Sequence, residues 1–360
     1  MHAALNALCI TNRSGTGRYA WGLIDGFIAS RPANLFLSVL IPADFSIPDV
    51  WREAGFVSFY SIPIHSVLHR LVWEQLSLPG WLKDVEPDVL HSPAFIAPVL
   101  RQITVPQVVT VHDLAFMRYP RTIPFLKRYF YQWVIPLAWR KAGAVITDSQ
   151  SVAAEISKSS YPPVRIQSVH LGVDSARFHP RSEQCDISIL EKYGLTKPYL
   201  LFVGTREPRK NLDTVLKAFK IARSCGFSSD LVIAGRAGWM EDHDQMNIPG
   251  VKWLGHVNDK SLPALYRGAQ AVLAPSIYEG FDLPSVEAIA CGAQVIASDI
   301  DVHREILCDS AVYAFAYSVD QWINAIMNCR NKKPLVELNV RDWTKVAQDT
   351  LKIYEELYSS

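Results

Sequence analysis

The sequence has few cysteines and little net charge, and it has no apolar stretch long enough to cross a membrane. Its six cysteines are scattered along 360 residues without a C-x-x-C pair, which argues against a zinc site or a disulfide framework and fits a reducing cytosol. A formal net charge of +1 argues against a dedicated nucleic-acid binder. No run approaches the ~20 apolar residues of a membrane helix, and we expect no leader peptide. These absences predict a protein that is soluble or peripheral to a membrane.

Hydrophobic residues make up 49% of the chain, enough for a large core and, at this length, for two domains. Short apolar runs alternate with longer helical patterns such as Leu212–Cys225 and Leu262–Arg267. This alternation predicts two doubly wound α/β domains, each with a parallel sheet covered by helices. The predicted strands are Leu35–Ile41, Val105–Val111, Ala144–Thr147, Val164–His170, Tyr199–Val203, Leu231–Ala234, Val251–Leu254, Ala271–Ala274 and Gln294–Ala297.

The patterning is weakest over residues 178–197, which indicates a connection between domains. We therefore predict a first domain over 1–180, a linker over 181–197, a second domain over 198–340 and a terminal helix over 341–360. Two such domains imply a cleft between them, with ligands at the carboxyl ends of the strands.

The most informative segment is Ser276–Ala288, which runs through a Gly-containing turn into a predicted helix. Pro284 suits the first helical position, so we expect Glu287 on the first turn. Free N–H groups at such a helix start favour phosphate, Glu287 can accept two ribose hydroxyls, and Glu279 can reach another hydroxyl-rich group. Together these features indicate a nucleotide-sugar. The alternative is an ordinary βα turn whose glutamate caps its helix.

Charged residues follow two other predicted strands. Arg209 and Lys210 lie in the turn after Tyr199–Val203, where they could neutralise a diphosphate leaving group; the alternative is a solvated basic turn. In the first domain, His112 and Asp113 come directly after a strand. They predict either contact with the transferred sugar or an ordinary buried histidine.

Taken in order, these motifs resemble the retaining nucleotide-sugar glycosyltransferases of family four, which have the GT-B fold, and most closely their bacterial mannosyltransferase-like branch. The resemblance covers nearly the whole chain. The matching segments are Gly15-x-Gly17-Arg18-Tyr19, Thr110–Leu114, Ala144–Ser149, His170–Asp174, Gly204–Asn211 and Glu279–Glu287. Glu-x-seven-Glu is highly specific in this company, whereas Gly-x-Gly permits close backbone approach but is weak evidence alone. The resemblance implies two Rossmann-like domains facing a central cleft, with the terminal helix crossing back to the first domain.

The resemblance also implies a role for each matching residue. Glu287 would hold the ribose, and Glu279 the sugar hydroxyls or the developing positive charge. Lys210, helped by Arg209, would bind the diphosphate, and His112 would contact the sugar; His112, Lys210 and Glu279 are thus the implied catalytic residues. The other implied donor-binding residues are Gly15, Gly17, Thr205, Arg206, His256, Val257, Gly280, Phe281, Asp282 and Leu283. The implied acceptor-side residues are Arg18, Tyr19 and Asp113.

The implied reaction transfers a hexose with retention and needs neither a metal ion nor a cofactor beyond the nucleotide-sugar. GDP-mannose is the first candidate donor, with UDP-sugars close behind. The implied acceptor is a saccharide or lipid-linked saccharide of envelope polysaccharide synthesis, handled in the cytoplasm or at the inner face of the cytoplasmic membrane. Two alternatives remain: a nucleotide-sugar epimerase on the same scaffold, and a non-catalytic nucleotide-sugar-binding protein.

Two positions depart from the family pattern. Thr205 stands where many members have arginine, and Arg206 or Arg209 are the candidate substitutes. Asp282 stands where the commoner pattern has glycine. A carboxylate so near a diphosphate is unfavourable unless it points at a sugar hydroxyl.

The segment from Leu114 to Thr147 contains no Asp or Glu, but it is rich in cations and aromatic residues. The cations are Arg118, Arg121, Lys127, Arg128, Arg140 and Lys141. The aromatic residues are Phe116, Tyr119, Phe125, Tyr129, Phe130, Tyr131, Trp133 and Trp139. Such a mixture suits the headgroup region of an anionic membrane. Packing of the aromatic rings between helices, with the cations merely solvated, explains the same pattern.

Overall fold

A computed structural model describes residues 1–11, 15–120, 125–160, 162–236, 238, 248–329 and 340–359. The chain divides into two compact units. One unit comprises Met1–Gly172 together with Arg341–Ser360, and the other comprises Val173–Val340. The boundary thus falls after Gly172, ahead of the linker that the sequence predicted over 181–197.

Within its described residues, the first unit has a seven-stranded parallel sheet in the order β3-β2-β1-β4-β5-β6-β7. The strands are β1 (His2–Asn6), β2 (Phe36–Pro42), β3 (Val57–Ile62), β4 (Val89–Ser92), β5 (Gln107–Val111), β6 (Ala144–Thr147) and β7 (Ile166–Ser168). The helices before the boundary are α1 (Gly15–Ser30), α2 (Asp49–Arg52), α3 (Val67–Leu76), α4 (Leu78–Val85), α5 (Ala115–Arg118), α6 (Phe125–Lys141) and α7 (Gln150–Ser157).

The second unit repeats this topology with a six-stranded parallel sheet, counted over its described residues, in the order β10-β9-β8-β11-β12-β13. The strands are β8 (Tyr199–Val203), β9 (Asp230–Ala234), β10 (Val251–Gly255), β11 (Ala271–Ala274), β12 (Val295–Ser298) and β13 (Ala311–Ala314). The helices are α8 (Asp186–Lys192), α9 (Leu212–Ser224), α10 (Leu262–Gly268), α11 (Leu283–Ala290), α12 (Asp301–Leu307) and α13 (Val319–Asn328).

The α/β class and the nine predicted strands are confirmed, with small shifts at their ends. Strand β7 is the most shortened, because Val164 is 95% exposed and lies outside the edge strand. Strands β1, β3, β4 and β13 are not among the predicted ranges. Two of them are only four residues long, and parallel strands buried on both faces lack the alternating pattern that marks a longer half-exposed strand.

The predicted linker is wrong for a physical reason. It contains α8, which packs on α10 within the second unit. Arg267 of α10 binds both carboxylate oxygens of Asp186, with its Nε 2.8 Å from Oδ2 and its Nη2 2.6 Å from Oδ1. A short helix held largely by a bidentate ion pair carries a weak hydrophobic pattern, so the sequence resembled a connection.

The terminal helix α14 (Trp343–Tyr358) packs along α1 in the first unit. Two glycines of α1 permit this close approach. A Cβ at Gly22 would lie 2.2 Å from the Trp343 ring, and one at Gly26 would lie 2.1 Å from the Trp343 carbonyl oxygen. At the other end of α14, Tyr354 is fully buried and its hydroxyl lies 2.6 Å from Nδ1 of His91 on β4.

Candidate active site

The candidate site lies where strand order reverses in the second sheet. Strand β8 pairs with β9 on one side and with β11 on the other. The chain after β8 continues to β9, and the chain after β11 continues to β12, toward the opposite edge of the sheet. In open α/β sheets, ligands bind at the carboxyl ends of strands at such a point. Here the turn Gly204–Asn211 follows β8 and the loop Pro275–Asp282 follows β11.

Three charged side chains meet between these two segments. Nζ of Lys210 lies 2.5 Å from Oε1 of Glu279, and Nη1 of Arg209 lies 2.8 Å from Oε2. The Ser276 hydroxyl also donates to Oε1 of Glu279, at 2.6 Å. Burial alone would raise the pKa of Glu279, but the charges of Lys210 and Arg209 outweigh it and hold that pKa well below its usual range. Glu279 is therefore an ionised carboxylate held between two cations.

Asn211 fixes the geometry of the two segments, a role that sequence reasoning did not assign. It adopts a left-handed backbone (φ 51°), which asparagine tolerates better than most residues. Its Nδ2 donates to the carbonyl oxygens of Pro275 at 3.1 Å and Ala316 at 2.6 Å. The backbone N–H of Ile277 donates to the carbonyl of Arg209 at 2.8 Å. The turn that carries the cations is thus bound directly to the loop that carries Glu279.

The structure separates the two arginines that were candidates to replace the family arginine at Thr205. Arg206 is buried, with its guanidinium carbon 4.9 Å from the centre of the Trp253 ring. Arg209 instead contacts Glu279 and, through Nε at 2.9 Å, Oε2 of Glu207. Arg209 therefore lies in the charged cluster, whereas Arg206 packs against β10. Thr205 is half-buried in the same turn.

Helix α11 begins at Leu283, one residue earlier than expected. Pro284 is therefore its second residue, and Glu287 lies in the second turn, not the first. The shift follows from Asp282, whose left-handed backbone (φ 72°) turns the chain immediately before the helix. Glu287 is buried (1% exposed), and its Oε2 accepts a hydrogen bond from the Tyr266 hydroxyl at 3.1 Å.

The predicted donor-binding residues of the second unit not yet described follow β10 and β11. Gly280 and Phe281 are buried in the loop after β11, and Leu283 is half-buried at the helix start. His256 and Val257 follow β10, the histidine exposed and the valine buried.

Hydrogen bonds join the carboxyl ends of these strands. Gly204 N–H donates to Ala234 at 2.9 Å, and Gly235 N–H donates to Gly255 at 2.8 Å. These bonds hold the turns after β8, β9 and β10 against one another.

In the first unit, His112 is held by partners on both ring nitrogens. Nδ1 lies 2.8 Å from Oδ2 of Asp148, and Nε2 lies 2.8 Å from the Pro93 carbonyl oxygen. Burial lowers the pKa of His112, but the nearby Asp148 carboxylate outweighs it, so the net shift is upward. Asp148 and the Pro93 carbonyl thus hold the ring from both sides, and the sequence did not predict the contact with Asp148.

His112 and Asp113 border a cavity of about 590 Å³ at the carboxyl edge of the first sheet. Gly15, Thr16 and Arg70 line the same cavity. Because α1 begins at Gly15, the Gly-x-Gly motif forms the start of a helix and not an extended loop.

Tyr19, which was predicted on the acceptor side, is not among the residues that line this cavity. It is 1% exposed, its hydroxyl accepts from Thr110 at 3.2 Å, and its ring packs edge-on against His112 and Trp343. Tyr19 is a core residue because it projects from the buried face of α1. Gly17 is also buried in that helix, and Arg18 is half-buried.

The basic and aromatic segment after Leu114 is mixed in burial. Phe116 and Trp139 are buried, which fits packing between helices, whereas Trp133 is 76% exposed. Arg121 and the side chains of Phe125, Lys127, Tyr129 and Phe130 lie outside the described residues. Among the residues that are described, we find no helix with the length and hydropathy to cross a bilayer.

Few described side chains are arranged to hold a metal ion. Glu183, Cys185 and Asp186 offer ligand atoms within 4.8 Å of one another. However, Arg267 already binds Asp186 through two hydrogen bonds. An Asp-x-Asp triplet begins at Asp299, whose carboxylate is bound by Arg304 at 2.7 and 2.8 Å.

Two Rossmann-like units of this topology define the GT-B class of glycosyltransferase folds. Sucrose-phosphate synthase from Thermosynechococcus elongatus has a similar structure (TM-score 0.72, 15% identity, covering 100% of this chain and 99% of that one). Anabaena HepE, crystallised with UDP and glucose, is also similar (TM-score 0.71, 18% identity, covering 98% and 99%).

Sequence comparisons identify the family. The family model described as Glycosyltransferase Family 4 matches residues 14–177, and that described as Glycosyl transferases group 1 matches residues 188–338. O-antigen chain mannosyltransferase B of Escherichia coli is 30% identical over 328 residues, covering 85% of this chain and 84% of that protein. O-antigen chain mannosyltransferase RfbU of Salmonella typhimurium is 28% identical over 337 residues, 88% of each. The chain belongs to glycosyltransferase family 4 and is a hexosyltransferase.

Proposed function

We propose that this enzyme transfers a hexose from a nucleotide-sugar to a saccharide or lipid-linked saccharide in envelope polysaccharide synthesis. The observation that carries the proposal is the cluster of Arg209, Lys210 and Glu279 at the carboxyl edge of the second sheet, beside the start of α11. The O-antigen mannosyltransferases among its relatives favour mannose, with GDP-mannose as the first donor to test. A UDP-sugar is the second candidate, because HepE was crystallised with UDP-glucose.

The two cations would bind the diphosphate of the donor. Breaking the bond between sugar and phosphate leaves negative charge on the diphosphate, and fixed positive groups stabilise that charge as it develops. Lys210 and Arg209 are both already held by the Glu279 carboxylate. Bringing two cations to the diphosphate therefore costs little additional side-chain entropy. The amide groups at the start of α11 add the positive end of a helix dipole. This arrangement supports a reaction without a metal ion.

Glu279 would exchange partners when the donor binds. In the structure its two carboxylate oxygens are each bound by a cation. A diphosphate competes for those cations and leaves the Glu279 carboxylate to accept sugar hydroxyls or to face the developing positive charge. Glu287, fixed by Tyr266, would accept the ribose hydroxyls.

The cavity of the first unit would bind the acceptor. Asp113 borders it and is the candidate to orient an acceptor hydroxyl, while His112 would contact the sugar. Retention would follow if the leaving diphosphate itself accepts the proton of the acceptor hydroxyl on the same face of the sugar. An epimerase would need no acceptor cavity, and the transferases among the relatives favour transfer.

A donor screen tests the proposal. GDP-mannose, GDP, UDP-glucose and UDP should be compared by thermal shift, since a ligand at 100 times its Kd adds about 2.7 kcal/mol of stability. The selected donor is then assayed with a saccharide acceptor, with and without EDTA, and the anomeric configuration of the product is read by NMR. We expect EDTA-insensitive transfer with the donor configuration kept. Inversion would exclude retention, and turnover without an acceptor product would favour the epimerase.

We propose further that one face of the first unit contacts an anionic membrane. On α3, Leu68 is 71%, Val72 46% and Leu76 45% exposed. The segment next to it carries Leu100 (68% exposed), and α6 carries Trp133.

Hydrogen bonds tie these three elements together. Oε1 of Gln75 on α3 accepts from the Val99 N–H at 2.8 Å, and Nζ of Lys141 on α6 donates to the Val99 carbonyl at 2.8 Å. The exposed apolar side chains therefore lie on neighbouring elements of one unit. An amphipathic face of this kind binds a membrane through buried apolar area plus attraction to anionic lipids.

Liposome co-sedimentation tests the membrane contact. Vesicles with and without anionic lipid are compared for the wild type, for Leu68→Asp with Val72→Asp, and for the control Val164→Asp, whose side chain is 95% exposed elsewhere. We expect the double variant to lose binding and the control to keep it. Equal binding by all three proteins, or none by the wild type at low salt, would contradict the contact.

A further inference from the structure

A second carboxylate lies in the same loop as Glu279. The side chain of Asp282 is largely buried, and its Oδ2 accepts a hydrogen bond from the Ser285 hydroxyl and lies 3.3 Å from Nε2 of His303. A carboxylate at a helix start is stabilised by the helix dipole. For the same reason it would repel a diphosphate bound there unless another group neutralised its charge.

His303 is arranged to be that group. It lies on α12 with no exposed surface, and its Nδ1 is 2.8 Å from the Ser298 carbonyl oxygen. A carbonyl oxygen only accepts, so Nδ1 carries a hydrogen. A neutral imidazole has one N–H, so its Nε2 would then present a lone pair to the Asp282 carboxylate. Only the doubly protonated ring keeps the hydrogen on Nδ1 and also places a positive charge within ion-pair distance of Asp282.

The charges that face His303 agree with this protonation. Burial lowers the pKa of His303, but the Asp282 carboxylate 3.3 Å from its Nε2 outweighs it, so the net shift is upward. Glu279 adds to the upward shift of this pKa from farther away. The cations nearest to these acids, Lys210 and Arg209, are themselves paired with Glu279.

His303 also belongs to the frame that holds Glu279. The Ser298 hydroxyl donates to the Ser276 carbonyl, and the Ser276 hydroxyl donates to Glu279. The end of β12 is therefore connected to Glu279 by hydrogen bonds through Ser276, and to Asp282 by the ion pair with His303. A change at His303 would act on the donor site without direct contact with a ligand.

We propose that His303 is a positioning residue for donor binding, which neutralises the Asp282 carboxylate beside the start of α11 and so allows a diphosphate to bind there. The inference rests on the proposed function, in which this helix start receives the donor diphosphate. It also explains how an aspartate is tolerated at position 282, where an unneutralised negative charge would weaken binding of the donor.

A double-mutant cycle tests the proposal. Wild type, Asp282→Gly, His303→Gln and the double variant are titrated calorimetrically at pH 7 with GDP and with UDP. Glycine suits the left-handed backbone at position 282. We expect His303→Gln to raise Kd roughly tenfold in the wild-type background. In the Asp282→Gly background the same substitution should change Kd less than about twofold. Equal weakening in both backgrounds would show a merely structural role and overturn the proposal.

The pH dependence gives a second readout. Deprotonation of His303 should expose the Asp282 charge, so wild-type affinity should fall as the pH rises through the raised pKa of His303. The titrations run upward from pH 7, where the terminal phosphate of GDP or UDP is already ionised. Asp282→Asn keeps the shape of the side chain but removes its charge, and it should abolish the fall. This variant carries the test if His303→Gln does not fold. The same pH dependence in wild type and Asp282→Asn would overturn the proposal.

The proposed donor site and the proposed role of His303 can be distinguished by these titrations. If the wild type binds neither GDP nor UDP, the proposed function fails at its donor site, and this inference fails with it. If the wild type binds one of them but the cycle is additive, only the role of His303 is overturned.

Discussion

The two units share one strand order but use the carboxyl edges of their sheets differently. In the second unit, Arg209, Lys210 and Glu279 are brought together at that edge as full charges, with Asp282 and His303 beside them. In the first unit, the nearest counterpart is one buried pair, His112 with Asp148, next to a cavity of about 590 Å³.

In the core of the first unit, uncharged side chains on the helices and the sheet are joined by hydrogen bonds instead. The Thr110 hydroxyl donates to Tyr19, so it accepts from Nε2 of His91 at 2.7 Å, and Nδ1 of His91 accepts from Tyr354. Burial lowers the pKa of His91 to about 3, so the ring stays neutral. The same topology therefore supports a charged edge suited to a diphosphate in one unit and a neutral, closely packed core that anchors the terminal helix in the other.

Removal of the Glu279 carboxylate should lower the free energy of unfolding most among the stability variants considered. Glu279→Gln removes the carboxylate that Lys210 and Arg209 share, and loss of one member of a buried ion pair costs about 3 kcal/mol. Because folding lowers the pKa of Glu279, the pair stabilises the fold above the usual glutamate pKa and is lost as pH falls through the lower folded value.

Urea denaturation should therefore show a constant gap between wild type and Glu279→Gln from pH 8 to 5, which narrows below about pH 4. Glu207→Gln is the matched control, since its carboxylate is 31% exposed in its pair with Arg209. We expect that control to cost less than about 1 kcal/mol. Equal losses for both variants would contradict the central position of Glu279.

Lys210→Ala tests the function of the same edge. We expect turnover to fall by about 10²-fold or more, because Lys210 would stabilise the departing diphosphate. The control is Lys220→Ala, an exposed lysine on α9 in the same unit. Wild-type steady-state kinetics in the Lys210 variant would refute the assignment.

Gly26→Ala tests the close packing of the first unit. A Cβ at this position would lie 2.1 Å from the Trp343 carbonyl oxygen, and such overpacking costs about 1–3 kcal/mol. Gly80→Ala in α4 is the control, because its Cβ would meet nothing within 4 Å. That control should stabilise by about 0.5–1 kcal/mol, since alanine favours a helix. Thermal unfolding of both variants measures the contrast, and equal shifts would argue against a tight α1–α14 contact.

Tyr354→Phe should have the smallest effect. It removes the hydroxyl that donates to His91 and leaves a buried acceptor unsatisfied, at a cost of about 1 kcal/mol. Tyr358 offers a comparison in the same helix, because its side chain is 59% exposed. Chemical denaturation should show Tyr358→Phe to be the milder substitution; the reverse order would mean that the hydrogen bond to His91 does not anchor the helix.

Much of the fold and the central motif could be predicted because the signals are local. Strands such as Tyr199–Val203 are continuous apolar runs, and Glu279 and Glu287 flank a turn in one segment. The errors have physical causes as well. The helix α8 is bound by an arginine that is distant in sequence. Tyr19 lies in a motif whose glycines suggested a ligand, but its side chain is buried in the core.

The sequence by itself determined the α/β class, the two-domain order and the identity of the Glu-x-seven-Glu loop, because periodicity and short motifs depend on neighbouring residues. Only the tertiary structure decided that Arg209, not Arg206, joins Glu279, and that His303 faces Asp282. These pairings join segments that are distant in sequence and meet only when β8, β11 and β12 align in one sheet. A charge is stabilised by what lies within a few ångströms of it, and the sheet determines which residues those are.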